Sequence, residues 1–158
     1  MRALGGVLLV CSGLLWGLYK ARELVVRERV LTELRKMMQG LETGIRYSAS
    51  PLGDLVRQGE SPFCKEAVGL AVFPQDPRQA LAQAGERLLS QKGDRELYQG
   101  FVAGLGASDT QGQLGHIGLY AAMLEHTLGQ ARQEREAKAR LYVSLGLFGG
   151  AALCLLLL

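Results

Sequence analysis

Histidine and cysteine are scarce in this chain of 158 residues, which has two of the first and three of the second. Cys11 and Cys154 lie in the two apolar ends and only Cys64 in the middle. That excludes a disulfide framework or a cysteine zinc site there, and it suits a reducing compartment. His116 and His126 have no partner at the i, i+4 spacing that places two imidazoles on one helix face, so no metal pair is expected. The net charge is only +3 and aromatic residues make up 6% of the chain. With so small and evenly spread an excess, and no basic stripe interleaved with aromatics, nucleic-acid binding is not expected. Sustained alternation of β-branched residues is missing too, which leaves a helical pattern and an all-α fold class.

Charge is missing altogether from the two ends. Ala3–Tyr19 and Leu141–Leu158 contain no Asp, Glu, Lys or Arg, although 21% of the chain is charged. A helix needs about 17–25 apolar residues to cross a bilayer, so each end is just long enough. Trp16, Tyr19 and Tyr142 stand where interfacial aromatics are expected. A cleavable signal peptide is the rival reading of the first segment, but the chain runs straight into Lys20, Ala21, Arg22 and Glu23 without a small-residue cleavage site. Val10 before Cys11 is likewise not the small residue that lipid attachment prefers. The expected organisation is an N-terminal transmembrane helix over 1–19, a helical domain over 20–140 and a C-terminal transmembrane helix over 141–158. Basic residues near the spans set the orientation. Lys20, Arg22, Arg27, Arg29, Arg35 and Lys36 follow the first, and Arg132, Arg135, Lys138 and Arg140 precede the second, so the domain should be cytoplasmic. The same residues suit anionic lipid headgroups.

Within the domain, Leu31, Leu34, Met38, Leu41 and Ile45 recur at helical spacing, as do Leu114, Ile117, Ala121, Leu124, Leu128 and Ala131. Each series makes an apolar stripe on a helix continuous with a membrane segment. The stripes can pack on each other or face the domain core. At 1.5 Å per residue, a helix from Lys20 to Ser48 would be about 43 Å long. Ser50-Pro51, Ser61-Pro62 and Asp76-Pro77 each offer a capping side chain followed by proline at the first helical position. Gln79, three residues after Asp76, suggests a capping box. These signals predict short helices near 51–58, 62–72 and 77–91, with Leu52, Leu55, Val56, Val68, Leu81, Leu88 and Leu89 as apolar contacts. A break at Gly93-Asp94 precedes a further helix from Arg95 to about Ala103.

The stretch GLGASDTQGQLGHIGLY, Gly104 to Tyr120, gathers a serine, an aspartate and a histidine. Ser108 with Gln111 matches an S-x-x-Q helix start, and Asp109 would meet the positive end of the helix dipole. A membrane-bound hydrolase using Ser108, His116 and Asp109 is disfavoured, because eight residues of helix separate Ser108 from His116 by about 12 Å. No cofactor motif is present.

The run LGASDTQGQLGHI, Leu105–Ile117, resembles the hallmark segment of the stage III sporulation protein AB family of endospore-forming bacteria. LRKMMQGLETGIRYSASPLGDL, Leu34–Leu55, is similar to that family's L-x-x-L-E-x-x-I-x-Y-x-x-x-P-L stretch. The resemblance covers nearly the whole chain, more by helix pattern than by identities over 62–98. It implies a non-enzymatic subunit of the channel or secretion-like complex that links mother cell and forespore, set in the mother-cell membrane that faces the forespore. It also implies a domain related to the F-type platform proteins of type II secretion. Partners would be a cytoplasmic secretion-type ATPase of the same operon, other stage III membrane proteins and further copies of the chain. The motif carries over to Leu105, Gly106, Ser108, Asp109, Gln113, His116 and Ile117. Their roles are either those of a helix joint or, for Asp109, Gln113 and His116, those of a partner-facing corner. A general membrane scaffold unrelated to sporulation is the alternative reading.

Overall fold

The structure is a computed structural model, which describes the backbone of residues 2–48 and 50–157 and the side chains of 11–48, 50–149 and 152. Among the described residues it is all-α, with six helices: α1 Arg2–Ser48, α2 Leu52–Gln58, α3 Pro62–Val68, α4 Pro77–Leu88, α5 Lys92–Gly104 and α6 Thr110–Leu157. The chain divides into two compact units, one of residues 1–28 with 129–158, the other of residues 29–128. Among the described residues no helix is long and apolar enough to cross a membrane. Most side chains of 1–10 and 150–158, which belong to the two expected spans, lie outside the described residues.

The 29–128 unit is built on the two stripes and an aromatic centre. Leu31, Leu34, Met38 and Leu41 of α1 and Ile117, Leu124 and Leu128 of α6 are buried. Ile45, Leu114 and Ala121 are half-buried. Of the short-helix contacts, Val56, Leu81 and Leu89 are buried, whereas Val68 is exposed. Tyr98 of α5 stacks on Phe63 of α3, with ring centroids 5.1 Å apart, and its hydroxyl donates to the Leu81 carbonyl at 2.9 Å. Burial, and after it the neighbouring Cys64, pushes the Tyr98 hydroxyl far above the ordinary phenol range. A Cβ on Gly85 of α4 would overlap this ring, so the missing side chain is what lets the two helices close on it.

The helix starts follow the capping chemistry in part. Ser61 Oγ accepts from the Cys64 N–H at 3.2 Å, with Pro62 at the first helical position. Asp76 Oδ1 accepts from Arg78 and Gln79 N–H at 3.0 and 2.9 Å. The return half of the expected box is superseded, because the Asp76 N–H already donates to the Val72 carbonyl. At α2 the cap position is Pro51, not Ser50, and no side chain caps it. The Pro51 carbonyl instead accepts from Asp54 and Leu55 N–H. Helix α3 stops at Val68 and α4 at Leu88, both short of expectation, and α5 begins at Lys92. Gly93-Asp94 is therefore the first turn of α5 and not a break; Asp94 is buried there, where a carboxylate meets the positive end of the helix dipole. Asp76→Ala should lower stability by about 1 kcal/mol, read as a shift in the chemical-denaturation midpoint, while Asp76→Asn should leave it within a few tenths.

In the other unit α1 and α6 pack antiparallel. A Cβ on Gly17 would run into the Tyr142 carbonyl, and one on Gly146 into that of Gly13, so here the two backbones are in near-direct contact. Trp16 meets Tyr142 edge-on, centroids 6.2 Å apart. Further along the same pair, Arg27 bonds Glu134 at 2.8 Å, and Glu28 is held by Arg132 at 3.3 Å and Arg135 at 2.8 Å. Arg27 and Glu28 are largely covered and their partners more exposed, and these cross-helix pairs fix the register of the two helices. Several basic residues that the sequence offers for orientation are thus matched by carboxylates.

Candidate functional site

The seven motif residues converge on the joint between α5 and α6. Helix α5 ends at Gly104, and Leu105 turns extended with its side chain buried. Gly106 follows with φ +73°, the left-handed region that glycine enters without Cβ strain. The Leu105 N–H bonds the Val102 carbonyl and the Ala107 N–H that of Gly104, at 3.1 and 3.3 Å.

The start of α6 corrects the expected cap by one residue. The first helical residue is Thr110, so the cap is Asp109, whose Oδ1 accepts from the Gly112 N–H at 3.0 Å. Its backbone carbonyl takes the Gln113 N–H at 2.9 Å. Aspartate and serine cap equally well; two adjacent candidates leave the choice to the turn that delivers the chain. Gln113, and not Gln111, reaches back: its Nε2 donates to the Ser108 carbonyl at 3.2 Å. Serine therefore contributes its backbone, and its side chain is exposed.

His116 closes the joint from the second turn of α6. Its Nε2 lies 2.8 Å from the Phe101 carbonyl, one of the last four carbonyls of α5, which have no partner within their own helix. An Nε2–H donated there caps α5 from outside and fixes that nitrogen as the protonated one. The ring sits 4.7 Å from Tyr120 and 6.1 Å from Phe101, centroid to centroid. Ile117 beside it is fully buried.

The space for these rings comes from α5. A Cβ on Gly104 would overlap the His116 ring, and one on Gly100 would sit against the Tyr120 hydroxyl. Phe101, Tyr120, Gly100 and Gly104 are the residues that motif reasoning missed. Their signal is faint: two glycines at i, i+4 on one helix facing two rings at i, i+4 on the next.

Of the corner Asp109, Gln113 and His116, the last two spend polar atoms on backbone carbonyls, and Asp109 stays exposed. A groove of about 660 Å³ between the end of α1 and α2–α3, lined by Met37, Gly40, Leu41, Tyr47, Leu55 and Cys64 among others, includes none of the motif residues. Among the described residues, no group of three or more His, Cys, Asp or Glu is placed to hold a metal ion. His116→Ala removes one hydrogen bond and a packed ring. It should cost about 1–3 kcal/mol, measured by chemical denaturation of the full-length chain, with helical content in native buffer unchanged.

The family model described as Stage III sporulation protein AB matches residues 2–70 and 72–158. The stage III sporulation protein AB of Bacillus subtilis (strain 168) is 26% identical over 170 residues, spanning 100% of this chain and 99% of that protein. A solved structure of stage III sporulation protein AB superimposes with a TM-score of 0.60 at 26% identity, covering 71% of this chain and 98% of the other.

Proposed function

Because the chain belongs to the stage III sporulation protein AB family, matched over nearly its whole length, we propose that it is a non-enzymatic membrane subunit of the stage III sporulation machinery. In this reading it is a platform that docks a cytoplasmic secretion-type ATPase and assembles with other membrane subunits of the channel between mother cell and forespore. The full-length family match carries the proposal. The ends of α1 and α6 cross the mother-cell membrane facing the forespore, and residues 20–140 lie in the cytoplasm. Leu15, Trp16, Leu18, Tyr19, Leu141, Leu145, Leu147 and Phe148 support this, since all are large, apolar and exposed in a unit whose two helices already pack on each other.

In this reading the ATPase docks at the α5–α6 joint. Gln113 and His116 hold the joint together, so the exposed Asp109 carboxylate is the group that a cationic partner surface would meet. Asparagine caps a helix as well as aspartate does, so Asp109→Asn removes the charge and keeps the fold. The test is copurification of the operon's ATPase with detergent-solubilised full-length protein. Wild type should retain the ATPase, and Asp109→Asn should lose most of it while denaturing at the wild-type midpoint. No recovery with wild type would defeat the platform reading; equal recovery with both would move the contact away from the joint.

A further inference from the structure

Between the glycine contact and the ion-pair clasp of the 1–28 and 129–158 unit lies a band of unusual composition. Gly17 is level with Tyr142, and Arg27 with Glu134. The antiparallel register between these two points sets Lys20 level with Arg140 and Arg22 level with Lys138. Four basic residues thus stand on two levels of the helix pair about 3 Å apart. Two are paired on their own helix: Lys20 with Glu23 at 2.8 Å, and Lys138 at 3.3 Å with Glu134, a carboxylate it shares with Arg27. The hydrogen bond and charge of Glu23 hold the Lys20 ammonium above its ordinary range, and Lys20 draws Glu23 below its own. That pair therefore stays charged and mutually compensated.

Arg22 and Arg140 are different. Both are exposed, and among the described residues neither has a carboxylate within ion-pair distance. Immediately beyond them stand Tyr19, Trp16 and Tyr142. Trp16 and Tyr19 are 53% and 62% exposed, and past them come the outward-facing leucines and Phe148. Along the helix pair the order is apolar surface, aromatic side chains with polar edges, then unpaired guanidinium groups. This is the order of acyl chain, interface and phosphate in one leaflet. Guanidinium also presents a planar fork of donors that matches phosphate oxygens.

We propose that Arg22 and Arg140 form a headgroup site for anionic phospholipid, preferring it to zwitterionic lipid at the leaflet level of Tyr19 and Tyr142. The site rests on the membrane reading above and adds to it a lipid preference and the two residues that carry it.

Trp16 is the only tryptophan, so it reports the lipid beside the band without labelling. The full-length chain is reconstituted in bilayers of phosphatidylcholine and phosphatidylglycerol at equal mole fraction, with bromine on the acyl chains of one lipid at a time. Brominated phosphatidylglycerol should quench Trp16 more strongly, corresponding to a relative binding constant on the order of five. In Arg22→Gln/Arg140→Gln the ratio should fall to near one, whereas Arg78→Gln, in the other unit, should leave it unchanged. Both substituted arginines are exposed and unpaired, so folding should be unaffected; far-UV circular dichroism verifies it. Raised salt should weaken the preference in wild type. Equal quenching by the two lipids in wild type, or a preference that survives in the double variant, overturns the proposal and leaves the membrane reading standing. Quenching by neither lipid overturns both.

Discussion

Tyr98→Ala is expected to destabilise the 29–128 unit by about 3–5 kcal/mol, the range for removing a fully buried aromatic side chain. Domains of this size are stable by about 5–15 kcal/mol, so a large part of the margin would be lost. Three contacts meet at this residue: the stack on Phe63, the hydroxyl bond to Leu81 and the fit over Gly85. Tyr98→Phe keeps the first and third and should cost about 1 kcal/mol. Cys64 gives an independent readout. It is buried, and burial raises its thiol above the usual range, against a smaller opposing effect of the Ser61 hydrogen bond. In a Cys11→Ser/Cys154→Ser background, alkylation of Cys64 should be slow in wild type and Tyr98→Phe and much faster in Tyr98→Ala. A Tyr98→Ala chain with the wild-type denaturation midpoint and a protected Cys64 would show that the core is not centred on this ring.

That centre was hard to read from sequence, and the reason is physical. Leu31, Leu34, Met38 and Leu41 reveal themselves because helical spacing repeats along one element. Ser61 and Asp76 do so because a cap and its recipients are neighbours in the chain. Tyr98, Phe63 and Gly85 come from three separate helices, and nothing local marks one glycine as the seat of a distant ring. The expected break at Gly93-Asp94 failed because glycine's propensity cost, about 1 kcal/mol, is small beside the packing of a whole helix. At the joint, the motif residues themselves are legible, as a helix joint or a partner-facing corner. The cap falls on Asp109 and not on Ser108, and the bond from His116 to the Phe101 carbonyl leaves no mark in the sequence, since its acceptor belongs to the backbone of another helix.

Gly146→Leu is expected to separate the ends of α1 and α6. The atoms that a side chain would meet at this position are the Gly13 carbonyl and the Gly17 Cα. Backbone atoms cannot rotate aside as a side-chain tip can, so the helices must move apart, at a cost of about 1–3 kcal/mol. Close backbone approach at small residues is also a main route by which helices pack where the surroundings are apolar. Trp16 again provides the signal, because its near-ultraviolet circular dichroism depends on a fixed orientation against Tyr142. Gly146→Leu should abolish most of that band while the far-ultraviolet helical signal persists. Gly149→Leu should leave the band intact, because a Cβ there meets nothing within 4 Å. Loss of the band in both variants, or in neither, would contradict a glycine-lined contact at Gly146.

The meeting of Gly100 and Gly104 with Tyr120 and His116 also constrains how relatives of this chain can diverge. Each pair is a fixed volume divided between two helices, with nearly all of it assigned to α6. A methyl group gained at position 104 has to be matched by a smaller side chain at 116, and that change would give up the external cap on α5. Glycine and histidine should therefore be kept or exchanged together, as one inherited unit spread over two positions.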